Sequence, residues 1–106
     1  MNEASVTAET DGDRVRIAVS GDVDLANASD VEAKVRAAIT NRATTVDLDL
    51  GKVTYLDSAG LQVVFALTVK LRGLQIDLRV LAPDDTPARH AIDMAGMGSI
   101  VRIESA

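Results

Sequence analysis

The sequence predicts an α/β fold: a mixed, mostly parallel sheet of four to five strands with helices packed on one face. Three observations carry this. Strand-like and helix-like segments alternate along the chain, which implies right-handed crossovers and parallel neighbours. One tight-turn dipeptide, Asp11-Gly12, joins the first two strand-like runs and supplies a single antiparallel pair. Three strands alternate apolar with charged residues instead of reading as continuous apolar runs, so only one sheet face is covered. The outer positions are Arg14, Arg16, Asp47, Asp49, Asp77 and Arg79. They are expected to be exposed, pairing across strands for little net energy.

Residues 5–10 have weak period-two character and form the first strand. Residues 14–20 alternate cleanly, with Val15, Ile17 and Val19 on one side, and complete the hairpin. Residues 27–39 carry Ala28, Val31, Val35, Ala38 and Ile39 at helical spacing. Asn27 is expected to cap this helix, and Asp30 in its first turn complements the dipole. Residues 45–50 return to strand, with Val46, Leu48 and Leu50 inward. The second helix, residues 61–72, is apolar nearly all round, the mark of a central helix flanked by neighbours, and Gly73 stops it. Residues 75–81 are a strand ended by Pro83. Thr86-Pro87 is a cap with proline at the first helical position; that helix carries Ala91, Ile92 and Met94 and stops at Gly96. Residues 99–103 are the last strand.

A length of 106 residues fits a single domain, 1–106, with no room for a second substantial one. Hydrophobic residues make up 47%, enough for a core, but aromatics are only 2%, so that core is built from Val, Leu, Ile, Ala and Met. Net charge is −5, and no window clusters Lys and Arg, which speaks against nucleic acid and anionic membrane as partners. The absence of cysteine excludes disulfides and thiolate zinc sites. No apolar run is long enough to cross a bilayer, and the polar, acidic N-terminus is not a signal peptide. A soluble cytoplasmic protein is expected, without cofactor or metal.

The residues that invite chemical readings are few. Asp47 and Asp49 share a strand face, but a hard cation needs roughly six to eight oxygens from a shaped loop. His90, the sole histidine, lies far along the chain from the other polar candidates. Gly12 and Gly21 have no phosphate-loop spacing. Ser58 is the serious candidate, in the stretch Thr54-Tyr55-Leu56-Asp57-Ser58-Ala59-Gly60-Leu61 between an apolar strand and an apolar helix. As a hydrolase nucleophile it lacks the first glycine of G-x-S-x-G, where Leu56 stands. As structure, Asp57 or Ser58 caps the helix that starts near Leu61. As a regulatory hydroxyl, Ser58 is exposed at a helix start, where a phosphate would meet the dipole and free amides. Ala59 and Gly60 leave its approach open.

Three stretches bear a resemblance to a known family: Gly21-Asp22-Val23-Asp24; Val53-Thr54-Tyr55-Leu56-Asp57-Ser58-Ala59-Gly60-Leu61; and Ile92-Asp93-Met94-Ala95-Gly96-Met97. Together they resemble the anti-sigma factor antagonists, with their STAS domain, over nearly the whole chain. The resemblance implies a STAS-like sheet and a partner-switching role. Members bind an anti-sigma factor that is also a serine kinase, freeing a sigma factor. The kinase then phosphorylates the serine after the motif's aspartate, here Ser58, and a phosphatase reverses this. It implies a partner-binding surface of Asp22, Asp24, Asp57, Ser58, Ala59, Gly60 and Leu61, on a monomer when free. Gln62 departs from a frequent glycine, Ala59 from a frequent serine or threonine and Val23 from a common leucine. The same domain occurs in lipid-transport and transporter assemblies, where the serine is no switch, and that alternative stays open.

Overall fold

Residues 3–105 are described by the structure, a computed structural model. The elements run β1 (Ser5–Asp11), β2 (Arg14–Val23), α1 (Ala28–Ala38), β3 (Thr45–Leu56), α2 (Ser58–Gly73), β4 (Asp77–Leu81), α3 (Pro87–Met94), a 3₁₀ turn (Met97–Ser99) and β5 (Ile103–Glu104). The five strands lie in sequence order in one sheet. Only β1 and β2 are antiparallel, and the remaining neighbours are parallel. Gly12 turns the hairpin at φ +62°, which the Asp-Gly dipeptide anticipates.

The inward residues of the strands, among them Val15, Ile17, Val19, Val46, Leu48, Leu50 and Val80, join one core with Val31 and Val35 of α1. The same core takes in Leu67 and Leu71 of α2 and Ala88 and Ile92 of α3. All three helices therefore cover a single face, as the alternating strands require. α2 is less enclosed than its composition suggests: Phe65 and Val69 are exposed on its outer side.

The open face corrects one expectation. Arg16, Asp49 and Asp77 are exposed, but Asp47 is buried at 3% exposure. The cause is the parallel register, which sets Asp47 beside Arg16 on β2 and Arg79 on β4. Arg79 Nε donates to Asp47 Oδ1 at 2.8 Å, and Arg14 Nε and Arg16 Nε lie 3.6 and 3.9 Å from Oδ2. Side chains long enough to lie over a neighbour cover the short carboxylate and exclude water from it.

β3 runs six residues past the predicted end at residue 50. Its inward positions go Val46, Leu48, Leu50, then Val53 and Leu56, so the period changes from two to three. Irregular pairing with β2 explains this: Ala18 faces Asp49 but Ser20 faces Lys52, and Gly21 faces Val53 but Asp22 faces Tyr55. Each step inserts an extra β3 residue, a bulge that preserves the buried side while breaking the alternation. The last strand is also shifted. Residues 97–99 form the 3₁₀ turn and only Ile103–Glu104 pair with β4.

Candidate functional site

The carboxyl ends of β2 and β3 bring together the loop before α1 and the N-terminus of α2. α2 begins at Ser58, three residues earlier than the apolar pattern suggested, because Asp57 caps it. Asp57 Oδ1 accepts from the amides of Ala59 at 2.9 Å and Gly60 at 3.1 Å. Its Oδ2 accepts from the amide of Leu25 at 3.2 Å, and its own amide donates to the Val23 carbonyl at 3.3 Å. One side chain thus caps the helix and ties it to the preceding loop. The amides pictured as free for a phosphate are already engaged by this carboxylate.

That loop is braced from within. Asp24 Oδ1 accepts from the amides of Ala26 and Asn27, and Asn27 Oδ1 accepts from the Asp24 amide at 3.0 Å. The reciprocal pair is a capping-box arrangement one turn before α1. The Asn27 side chain therefore does not cap α1, contrary to the expectation from sequence; its Nδ2 donates to the Asp22 carbonyl at 2.8 Å instead. Asp22 Oδ1 accepts from Thr54 Oγ at 2.6 Å. Thr54 is the residue that the second bulge adds to β3. Thr54 and Asn27 position the acidic loop, a role the sequence does not show: it marks Asn27 only as a helix cap and Thr54 only as part of the stretch leading to Ser58.

Ser58 is exposed, and its hydroxyl has no hydrogen-bond partner among the described residues. Asp22, Asp24, Asp57, Ala59 and Leu61 are partly buried. The first turn of α2, Ser-Ala-Gly-Leu, contains no basic residue. Ser58, Leu61, Gln62 and Phe65 line one side of a groove of about 390 Å³, closed on the other by Ala95, Met97 and Ile100. His90 is exposed on α3 with no bond to Ser58. Asp49 Oδ1 accepts from the Gly51 amide, and Asp47 faces the arginines, so the two carboxylates are separately engaged. Among the described residues no group of three or more His, Cys, Asp or Glu is placed to hold a metal.

Gly60 requires a correction. It is buried and faces inward, so its missing side chain serves packing and not access to Ser58. A Cβ there would collide with Leu56 Cδ1 and stand 3.1 Å from Leu56 Cγ and 3.2 Å from Val23 Cγ1. Alanine would otherwise gain about 1 kcal/mol over glycine inside a helix. Gly60→Ala is nonetheless expected to cost about 1–2 kcal/mol, because overpacking at a buried contact outweighs propensity. Chemical denaturation checks this; an unchanged or raised midpoint would show that Leu56 rotates aside.

Fold and site define a small α/β domain that presents a serine at a helix start beside a braced acidic loop. Residues 6–102 match the family profile described as "Mlab, STAS domain". The chain is 37% identical over 82 residues to BtrV of Bordetella bronchiseptica, a protein assigned by name as an anti-sigma factor antagonist, covering 77% of this chain and 70% of that one. An anti-sigma factor antagonist from Mycobacterium paratuberculosis superposes with a TM-score of 0.85 at 23% identity, over 98% of this chain and 87% of that one. The Bacillus cell fate determinant SpoIIAA in its phosphorylated form superposes with a TM-score of 0.69 at 20% identity, over 95% and 92%. The chain belongs to the STAS domain family, among its anti-sigma factor antagonists.

Proposed function

We propose that this protein binds an anti-sigma factor serine kinase, so releasing a sigma factor, and that phosphorylation of Ser58 switches it off. The observation that carries the reading is the presentation of Ser58: exposed, unbonded, and first in a helix whose amides are held by Asp57. The helix does not need the serine hydroxyl, so the hydroxyl is free to react.

In this reading Ser58 Oγ attacks the γ-phosphorus of ATP, the bond to the β-phosphate oxygen breaks, ADP leaves and the hydroxyl proton passes to a base on the kinase. Both Asp57 oxygens accept from backbone amides. Base and metal are therefore the kinase's, and this chain acts as a single binding domain and not as an enzyme. Asp22, Asp24, Asp57, Ser58, Ala59 and Leu61 form the surface the kinase grips; buried Gly60 supports it from beneath. The protein works in the cytoplasm as a monomer when free, and a phosphatase returns phospho-Ser58 to serine. No helix among the described residues is long and apolar enough to cross a membrane, which fits such a role.

Intact-mass measurement tests the reading. After incubation with ATP and each purified anti-sigma factor kinase of the protein's own cell, one of them adds a single phosphoryl group, mapped to Ser58 by fragmentation. Ser58→Ala stays unmodified. Phosphate on another residue, or none with any kinase, overturns it.

A further inference from the structure

Beside the phosphoacceptor stands an apolar residue without a structural task. Leu25 is 83% exposed, the most exposed of the large hydrophobic residues among those described. It is not part of a loose loop. Its amide donates to Asp57 Oδ2, the amides of Ala26 and Asn27 donate to Asp24 Oδ1, and Asn27 clasps both Asp24 and Asp22. The backbone is held in place while the side chain projects into water, where it contributes nothing to the core.

We infer that Leu25 is the apolar anchor of the kinase-docking surface, inserting into an apolar pocket bordered by basic side chains on the anti-sigma factor kinase. The inference rests on the proposed function and adds the residue and the chemistry of its counterpart. Proximity selects the kinase as occupant. A catalytic cleft that reaches Ser58 Oγ covers the neighbouring Asp57, and Asp57 touches the Leu25 amide at 3.2 Å. Charge selects the rim: Asp57 accepts from the Leu25 amide, Asp22 and Asp24 lie in the same loop, and residues 21–31 contain no Lys or Arg. Pre-organisation makes the anchor effective, because a braced loop loses little freedom on docking. Interface energy concentrates on a few residues that become fully desolvated within a ring of contacts that exclude water, and the exposed side chain of Leu25 has most to gain from such burial.

The test uses the full chain, the kinase that phosphorylates it, and calorimetry. Leu25→Ala is expected to weaken binding about 10- to 100-fold, since truncating an interface hot spot has effects of that order. Leu25→Asp weakens it further. In steady-state phosphorylation the loss falls mainly on KM, because Leu25 touches no reacting atom. Leu74→Ala is the control: Leu74 is 58% exposed but sits at the far end of α2, so affinity stays within about twofold. Thermal unfolding of all three variants matches the wild type, which separates docking from folding. If Leu25→Ala binds like the wild type while Ser58 is still phosphorylated, the inference falls and the proposed function stands. If the wild-type chain engages no kinase, both fall.

Discussion

Phosphorylated Ser58 is expected to bind the kinase about 30- to 1,000-fold more weakly than the unmodified protein, a loss of about 2–4 kcal/mol of the size seen when a charge is left unpaired in an interface. The phosphoryl group adds about −1.5 to −2 charges. It adds to the charge of Asp57, its neighbour in the chain, and of Asp22 and Asp24 in the loop that Asp57 holds, with no basic residue in the first helical turn. The amides of Ala59 and Gly60 are held by Asp57, so they do not neutralise it. The dianion therefore depends on solvent, which docking would strip away, while the basic side chains of the kinase rim are already engaged by Asp22, Asp24 and Asp57. Ser58→Ala should bind within about threefold of wild type, because an exposed, unbonded hydroxyl adds little. Ser58→Glu, with one charge, should lose about tenfold, roughly half the loss in free energy. The fold should persist in every form, since the Asp57 cap is independent of the hydroxyl. Calorimetry and thermal unfolding on the same samples measure both quantities. Equal affinity for phosphorylated and unmodified protein would sink the electrostatic account.

The features that mattered were legible to different depths. Val15, Ile17 and Val19, or Val46, Leu48 and Leu50, identify strands because side-chain direction alternates strictly along extended backbone. The same rule concealed the end of β3, where two bulges shift the period and carry Leu56 inward. That end positions the site. Asp57 was readable as a cap because capping is local: its Oδ1 reaches two and three residues ahead. Its second oxygen reaches Leu25, 32 residues back, and Thr54 reaches Asp22 across the same separation. Such contacts depend on which strands are neighbours and on their register, which no local pattern encodes. Gly60 shows the reverse risk. A glycine in a motif invites a reading of access, yet its neighbours Leu56 and Val23 give a packing reason that only three-dimensional placement reveals.

Asp47→Ala is expected to cost about 2–3 kcal/mol at neutral pH, below the 3–5 kcal/mol typical of breaking a fully buried pair. The discount comes from the partners. Asp47 is covered, but the side chains of Arg79, Arg14 and Arg16 are 25%, 41% and 65% exposed, so water recovers part of their solvation once the carboxylate is gone. Three like charges nevertheless remain close together over a vacated site. The hydrogen bond from Arg79 holds the Asp47 carboxyl below its ordinary range, with further help from the charges of Arg79, Arg14 and Arg16 against the opposing effect of burial. A carboxylate depressed in the folded state binds a proton more weakly there than in the unfolded chain. Its stabilisation is full above the unfolded value of about 3.9 and is lost as pH falls through the lower folded value. Asp47→Asn, similar in volume but unable to ionise, should therefore be clearly less stable than wild type at pH about 7, with the gap narrowing below pH about 4. Denaturant midpoints for both proteins at neutral and acid pH decide it. A gap that stays constant with pH would mean that the site contributes through packing alone, and that the arginines only shelter a carboxylate they do not stabilise.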